Sequence, residues 1–352
     1  MEEIVRKNCT LKESSINRYL TNLKNLKKLI KYDKDDLDFL KKSDEIVKTI
    51  EKEYPNLNTR KTYYATVFSV IKDNSEFSDQ VKKLYHKKML DLRATITDKI
   101  GENKMSEKQK KNWVEYSELQ KVPDKIEEQL KKLKEGTDDY FDLYQKWLII
   151  YLNTNLPPMR LDLPTIKIYA EPSEFSKENY IIIKSKKEIE LYMNDFKNVK
   201  SFGKTKMTYP DTVSKEINKY LEYLKKHNYS CVDGDYLFFS PKTKKAYTQN
   251  YFGKFLPTIF QKYMGKPITI NDIRHIYETT VITSPDYAKK TLKEKEQIHK
   301  KLLHNFKTAQ EYVKLGNFIE FFDSQKPKSL SLSKDKDKIA ELLRSQGIEI
   351  ED

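Results

Sequence analysis

The 352-residue chain is expected to be mainly α-helical with one small antiparallel β-sheet, arranged as a helical N-terminal domain followed by a larger α+β domain. Three observations carry that expectation. Apolar residues recur at helical spacing over most of the sequence. Between positions 165 and 209 the pattern changes to short clusters of β-formers (YIIIK, IELYM, KMTYP) separated by turn residues. A polar interval without periodicity, opening GENKMSEKQKKN at position 101, separates the two patterned regions.

In the first region, residues 12–30 place Ile16, Leu20, Leu23, Leu26 and Leu29 on one helical face. Further helices are expected at 43–53, 59–73 and 76–95. The third of these four carries Asn58 or Thr59 as its cap and Arg60 and Lys61 in its first turn. The domain is taken as residues 1–100, the linker as 101–117 and the second domain as 118–322. The second domain opens with helices at 124–134 and 138–153. The latter, DDYFDLYQKWLIIYLN, is apolar on nearly every side of its C-terminal half and is therefore expected to be buried. NLPPMRLDLP follows, where two prolines stop the helix. Strands are expected at 165–169, 180–184, 188–194 and 206–209, then helices at 211–227, 248–262, 271–282, 291–303 and 306–315. Residues 323–352 form a low-complexity tail with a short amphipathic helix at 338–346.

Composition narrows the function classes. Only 8 glycines are present and neither GxGxxG nor GxxxxGK[ST] occurs, which disfavours a glycine-rich nucleotide cradle. Cys9 and Cys231 are too few and too far apart for a disulfide framework or a zinc site. No apolar run reaches the length of a membrane span, and the first residues lack the apolar core of a signal peptide, so a soluble intracellular protein is expected. The net charge is +14, from 67 Lys and Arg against 53 Asp and Glu. The excess is spread over both halves (31 basic and 26 acidic residues in 1–140, 36 and 27 in 141–352), as fits two domains touching one polyanion.

Four features of the second region stand in order along the chain. Arg160 lies in PPMRLD, just after the buried helix, where a charged fork calls for an anionic partner. The segment NDFKNVKSFGKTKMTYP is a lysine-rich hairpin carrying Lys197, Lys200 and Lys204. Arg274 sits in the helical stretch NDIRHIYETT, and His304 and Tyr312 lie in LLHNFKTAQEYV. Two arginines, a lysine, a histidine and a tyrosine suit metal-free phosphodiester transesterification. A tyrosine oxygen attacks phosphorus, guanidinium forks hold the non-bridging oxygens, and a lysine protonates the departing 5′ oxygen. Singly, each residue is more often structural; their joint order gives the pattern its weight.

That order resembles the tyrosine recombinase/integrase family over nearly the whole chain. NDIRHIYETT is similar to the motif HxxRH, and LLHNFKTAQEYV to LGHxxxxxTxxxY. The segments PPMRLD and FKNVKSFG resemble integrases of large DNA viruses and their associated mobile elements. The resemblance implies a helical core-binding domain plus an α+β catalytic domain, with Arg160 and Arg274 as a phosphate clamp. Lys197 would be the general acid, with Lys200 and Lys204 as alternatives, His304 a further phosphate ligand and Tyr312 the nucleophile. It further implies a 3′-phosphotyrosine intermediate, no cofactor, double-stranded DNA as partner, and a homotetramer on DNA with the C-terminal helix docking in trans. Arg60, Lys61, Lys87, Lys88, Lys200 and Lys204 are the expected DNA contacts.

The departures are specific. Asn271 stands where the family carries a histidine; an amide takes up no proton but can donate a hydrogen bond to a phosphate, so slower cleavage is expected. Leu163 replaces the carboxylate three residues after the first arginine, with Asp162 beside it as substitute support. His275 is expected to be structural. The Arg274–His304 interval is longer than usual, and the His304–Tyr312 interval one residue short. A type IB DNA topoisomerase and a non-cutting DNA-binding homologue are the alternatives.

Overall fold

The computed structural model describes residues 1–9, 11–172, 176–229, 233–303 and 306–314. The chain divides between Glu102 and Asn103 into two units.

The N-terminal unit is helical throughout: α1 (Glu2–Asn8), α2 (Glu13–Leu29), α3 (Ser43–Glu53), α4 (Leu57–Ile71) and α5 (Asp79–Gly101). In α2, Ile16, Leu20, Leu23 and Leu26 are buried, as their spacing requires. Helix α4 begins two residues before the expected start. Its cap is Asn56, whose side chain accepts the Thr59 N–H at 3.1 Å, and not Asn58 or Thr59. Tyr64, Val67, Val70 and Ile71 of α4 enter the core with Phe39 and Ile50. Helix α1 was not foreseen, because its seven residues bury only Val5 and leave no periodicity to read.

The second unit begins inside the stretch expected to be a linker. That stretch carries α6 (Glu107–Asn112) and α7 (Tyr116–Gln120). A capping box between Ser106 and Gln109 starts α6, while Met105 and Trp113 are buried in the core of the second unit. Two apolar anchors among so many lysines are too sparse for a periodic signal. Helices α8 (Val122–Leu130) and α9 (Asp138–Asn155) follow. Leu148, Ile149 and Ile150 of α9 are fully buried, each worth ~1.5–3 kcal/mol of transfer free energy.

Four strands then form one sheet in the order β1-β2-β3-β4: β1 (Lys167–Tyr169), β2 (Tyr180–Ile183), β3 (Ile189–Met193) and β4 (Thr205–Thr208). β2–β3 and β3–β4 are antiparallel, as expected, but β1–β2 is parallel, with Ile168 opposite Ile181. Residues 170–179 separate the two strands, too many for a tight two-residue hairpin, so the connection does not force an antiparallel return. The Ile168 N–H donates to the Asp235 carbonyl, and the Gly234 and Leu237 N–H groups donate to Ile168 and Ile166. That segment lies antiparallel to β1 on its other edge. The short helix α10 (Val199–Phe202) interrupts the β3–β4 connection.

The chain continues through α11 (Asp211–Lys226), α12 (Gln249–Met264), α13 (Ile270–Ile282), α14 (Pro285–Ala288), α15 (Leu292–Lys300) and α16 (Phe306–Tyr312). α10 and α14 span four residues each, too few to be read from periodicity. The core joins α9, the sheet residues Ile181, Leu191 and Met193, and Ile273 and Ile276 of α13. A smaller cluster of Ile282, Tyr287, Ala309 and Val313 seats α16 against α13 and α14. No helix among the described residues is long and apolar enough to cross a membrane. The tail 323–352, with the helix expected at 338–346, lies outside the described residues.

Candidate active site

Helix α13 starts at a defined residue because Thr269 and Asp272 form a capping box, with the Thr269 N–H donating to Asp272 at 2.9 Å and the Asp272 N–H to Thr269 Oγ1 at 3.2 Å. Arg274 follows on the same helix and is 0% exposed, the largest fully buried side chain among the described residues. Its Nη1 donates to the Pro158 carbonyl at 2.5 Å and its Nη2 to the Leu302 carbonyl at 3.1 Å. One guanidinium thus ties the segment leaving α9 to the turn that precedes α16. Leaving either partner without this charge-assisted bond costs ~1.5–3 kcal/mol.

Tyr312 is the last residue of α16, and its ring centroid lies 5.0 Å from Arg274 Cζ. Arg274 and Arg160 both lie close enough to its side chain for their charges to act on the phenol. Burial pushes the phenol up, but the charges of Arg274, and then of Arg160, outweigh it and hold the group below its ordinary value. The backbone of Tyr312 is fixed separately. His275 Nδ1 lies 2.6 Å from the Tyr312 carbonyl, with the two rings 4.7 Å apart. Burial lowers the imidazole to about 4, so near neutral pH the ring is uncharged and Nδ1 carries the proton it donates to that carbonyl. The Lys314 N–H donates to Thr279 Oγ1 at 3.1 Å, and the Asn103 amide nitrogen, turned toward α16, donates to the Gln310 and Val313 carbonyls at 3.2 and 3.0 Å.

Half-buried Arg160 follows the two prolines. Leu163 opens a 3-10 turn and is buried, so the carboxylate near the arginines is Asp162. Burial raises Asp162 to about 6, although Arg160 and Arg274 pull it down; Asp195 pushes it further up. Asp195 lies at the start of the β3–β4 connection, so the beginning of the lysine-rich segment is within electrostatic reach of Asp162. Lys197 is exposed in the turn two residues on, Lys200 is exposed on α10, and Lys204 donates to the Ser176 carbonyl at 3.1 Å. Among the described residues, neither Lys197 nor Lys200 bonds to the arginines or Tyr312.

Asn271 is exposed in the first turn of α13, three residues before Arg274 and so on its side of the helix. His304 lies outside the described residues. Leu303, immediately before it, is 1% exposed and has φ 57°, the left-handed region that favours glycine. It occupies the glycine position of the LGH pattern, and the backbone keeps a glycine-like conformation there without the glycine.

In the N-terminal unit, Arg60 turns its fork inward, donating from Nε to the Tyr54 carbonyl at 2.5 Å and from Nη2 to the Glu51 carbonyl at 2.6 Å. It closes the C-terminal end of α3. Lys88 pairs with Glu51 at 2.7 Å; Lys61 is half-buried and Lys87 exposed. The structure therefore brings together Arg160, Arg274 and Tyr312, with Asp162 and His275 around them. Three residues around the site went unnoticed in the sequence: Glu278, His299 and Tyr287. The one available signal was Glu278 at i+4 from Arg274.

No protein-family model matches the chain, and no curated protein matches it. Among solved structures the chain is similar to one described as the crystal structure of XerA recombinase, at 13% identity and a TM-score of 0.37, over 91% of this chain and 94% of that one.

Proposed function

We propose that this chain is a tyrosine-type DNA strand transferase, a recombinase or integrase that cuts and rejoins double-stranded DNA through a 3′-phosphotyrosine. The observation that carries the reading is the convergence of Arg274 and Arg160 on the Tyr312 side chain. In this mechanism the Tyr312 oxygen gives its proton to solvent water and forms the bond to phosphorus. The bond to the 5′ oxygen breaks, and that oxygen takes a proton from Lys197. The arginine donors then meet the non-bridging oxygens, whose charge grows in the transition state. Rejoining is the reverse, with a 5′ hydroxyl displacing the tyrosine. No nucleotide is needed, because the phosphotyrosine keeps the bond energy, and in this mechanism the arginine donors take the place of a metal at the non-bridging oxygens.

Asn271 cannot accept the phenol proton. Two guanidinium groups that favour the phenolate supply part of what a base would, which supports slower cleavage over none. Lys61, Lys87, Lys88, Lys200 and Lys204 are the exposed or half-buried cations assigned to backbone phosphates; Arg60, with its fork engaged by α3, serves the fold. His304 as a phosphate ligand, the tetramer, trans docking of residues 338–346, intracellular action and a viral or mobile-element origin belong to the same reading and rest on the motif resemblance.

The test uses labelled duplexes, nicked to trap the covalent state and tiled over the DNA flanking the coding sequence. They are incubated with protein and run on denaturing gels. A protein–DNA adduct that disappears in Tyr312→Phe is expected; no adduct on any duplex overturns the reading. The substitution at Asn271 favours one alternative, a homologue that grips DNA without cutting it, for which Tyr312→Phe would leave every activity unchanged.

A further inference from the structure

Behind Arg274 lies a buried polar chain that the reaction above does not use. Glu278 stands one turn beyond Arg274 on α13 and is likewise 0% exposed. Its carboxylate oxygens lie 3.1 and 3.3 Å from Nδ1 of His299 on α15. The other ring nitrogen, Nε2, lies 2.7 Å from the hydroxyl of Tyr287 on α14. His299 is 0% exposed and Tyr287 3%. Nδ1, facing the carboxylate, carries a proton toward Glu278, and Nε2 meets the Tyr287 hydroxyl. The chain runs Tyr287 to His299 to Glu278.

Two links connect it to Arg274. The first is backbone: the Leu302 N–H donates to the His299 carbonyl at 3.0 Å, and the Leu302 carbonyl accepts Arg274 Nη2 at 3.1 Å. The backbone at position 299 thus meets the turn that receives one arm of the guanidinium, while the His299 side chain anchors that position to Glu278 and Tyr287. The second is charge, since Glu278 is the carboxylate that follows Arg274 by one turn of the same buried helix. Three polar groups from three helices are costly to desolvate, and apolar packing would join those helices at least as well. Orientation of a buried guanidinium is something apolar packing cannot supply.

We propose that the Glu278–His299–Tyr287 chain is a positioning network for Arg274, aiming its donors at one non-bridging oxygen of the scissile phosphate. This rests on the strand-transferase reading. The network sits behind the arginine, so its members are positioning residues and not catalytic ones.

The experiment measures the single-turnover rate of Tyr312 adduct formation at saturating protein, together with duplex affinity, for the full chain and for Glu278→Gln and Tyr287→Phe. Three substrates are compared: the ordinary phosphodiester and the two diastereomers of a scissile methylphosphonate, each lacking one non-bridging oxygen. The diastereomer on which Arg274→Ala matches the unaltered protein lacks the oxygen that Arg274 holds. Glu278→Gln is expected to slow the phosphodiester reaction about 10- to 100-fold with unchanged affinity. On the identified diastereomer that deficit should vanish, and on the other it should persist. Tyr287→Phe, which removes only a hydroxyl at the far end, should repeat the pattern at smaller amplitude and carries the test if Glu278→Gln does not fold. Equal deficits on all three substrates, or none on the phosphodiester, overturn the network's role. Absence of a Tyr312-dependent adduct with the unaltered protein overturns the strand-transferase reading and this inference with it.

Discussion

Two buried groups at the site titrate in opposite directions, and single substitutions should separate them. His275 has a folded value of about 4 against an ordinary 6.5, lowered chiefly by burial. As pH falls through about 6.5 the unfolded chain takes up this proton first, so acid removes stability, and the loss is complete below about 4. Two and a half units correspond to about 3 kcal/mol in full and about 2 kcal/mol by pH 5. Asp162 has a folded value of about 6 against 3.8, raised chiefly by burial. Here the folded chain takes up the proton first, so acidification from pH 7 to pH 5 adds about 1 kcal/mol, an increment lost again as pH rises through about 6. In the unaltered protein the two largely offset. His275→Asn keeps a nitrogen where Nδ1 meets the Tyr312 carbonyl but removes the titration. Relative to the unaltered chain it should gain about 2 kcal/mol of stability between pH 7 and pH 5. Asp162→Asn should lose about 1 kcal/mol over the same interval. The assay is urea unfolding read by tryptophan fluorescence. The chain's two tryptophans, Trp113 and Trp147, are both buried in the second unit, so the signal reports that unit. Taking each variant's difference from the unaltered protein cancels the remaining carboxylates. Stability differences that stay constant across pH would refute the argument.

The hairpin lysines are separable by leaving-group chemistry. Lys197→Ala should lose about 10²–10⁴ in adduct formation on an ordinary phosphodiester and regain most of it on a 5′-bridging phosphorothiolate, whose thiolate departs without a proton. Lys200→Ala and Lys204→Ala should instead weaken duplex binding and flatten its salt dependence, measured by titration at several ionic strengths. At Leu303, held at φ 57°, the usual order of substitutions should invert. Leu303→Gly should be more stable than Leu303→Ala by about 1 kcal/mol in urea unfolding, because only glycine adopts that conformation freely.

The sequence revealed most where local chemistry decides the outcome. The spacing of Ile16, Leu20, Leu23 and Leu26 marks the buried face of α2, and the apolar run of α9 marks a buried helix. Both follow from 3.6-residue periodicity, which needs no knowledge of the rest of the chain. Segments with little periodic content escaped it: α1, with one buried residue, and α6, whose lysines resemble a solvated linker although Trp113 and Met105 anchor it. The direction of β1 escaped for a different reason: the residues between it and β2 are too many for a tight hairpin, so local spacing does not fix how the two strands run. At the site, residue types in order nominated Arg160, Arg274 and Tyr312. They did not show that His275 holds Tyr312, nor that Arg60 faces inward.

The sequence by itself determined the helical class, the place of the sheet and the order of the reactive residues, because those are carried by side-chain identity at fixed local spacing. Tertiary structure decided what each charged group does. Arg274 gives its donors to the Pro158 and Leu302 carbonyls, Arg60 to those of Tyr54 and Glu51, and His275 to that of Tyr312. Every residue supplies a backbone carbonyl, so no side-chain pattern can announce which one a distant cation will meet. Folding alone brings Arg160 and Arg274 to one phenol, and so makes an ordinary tyrosine near the end of a helix easier to ionise.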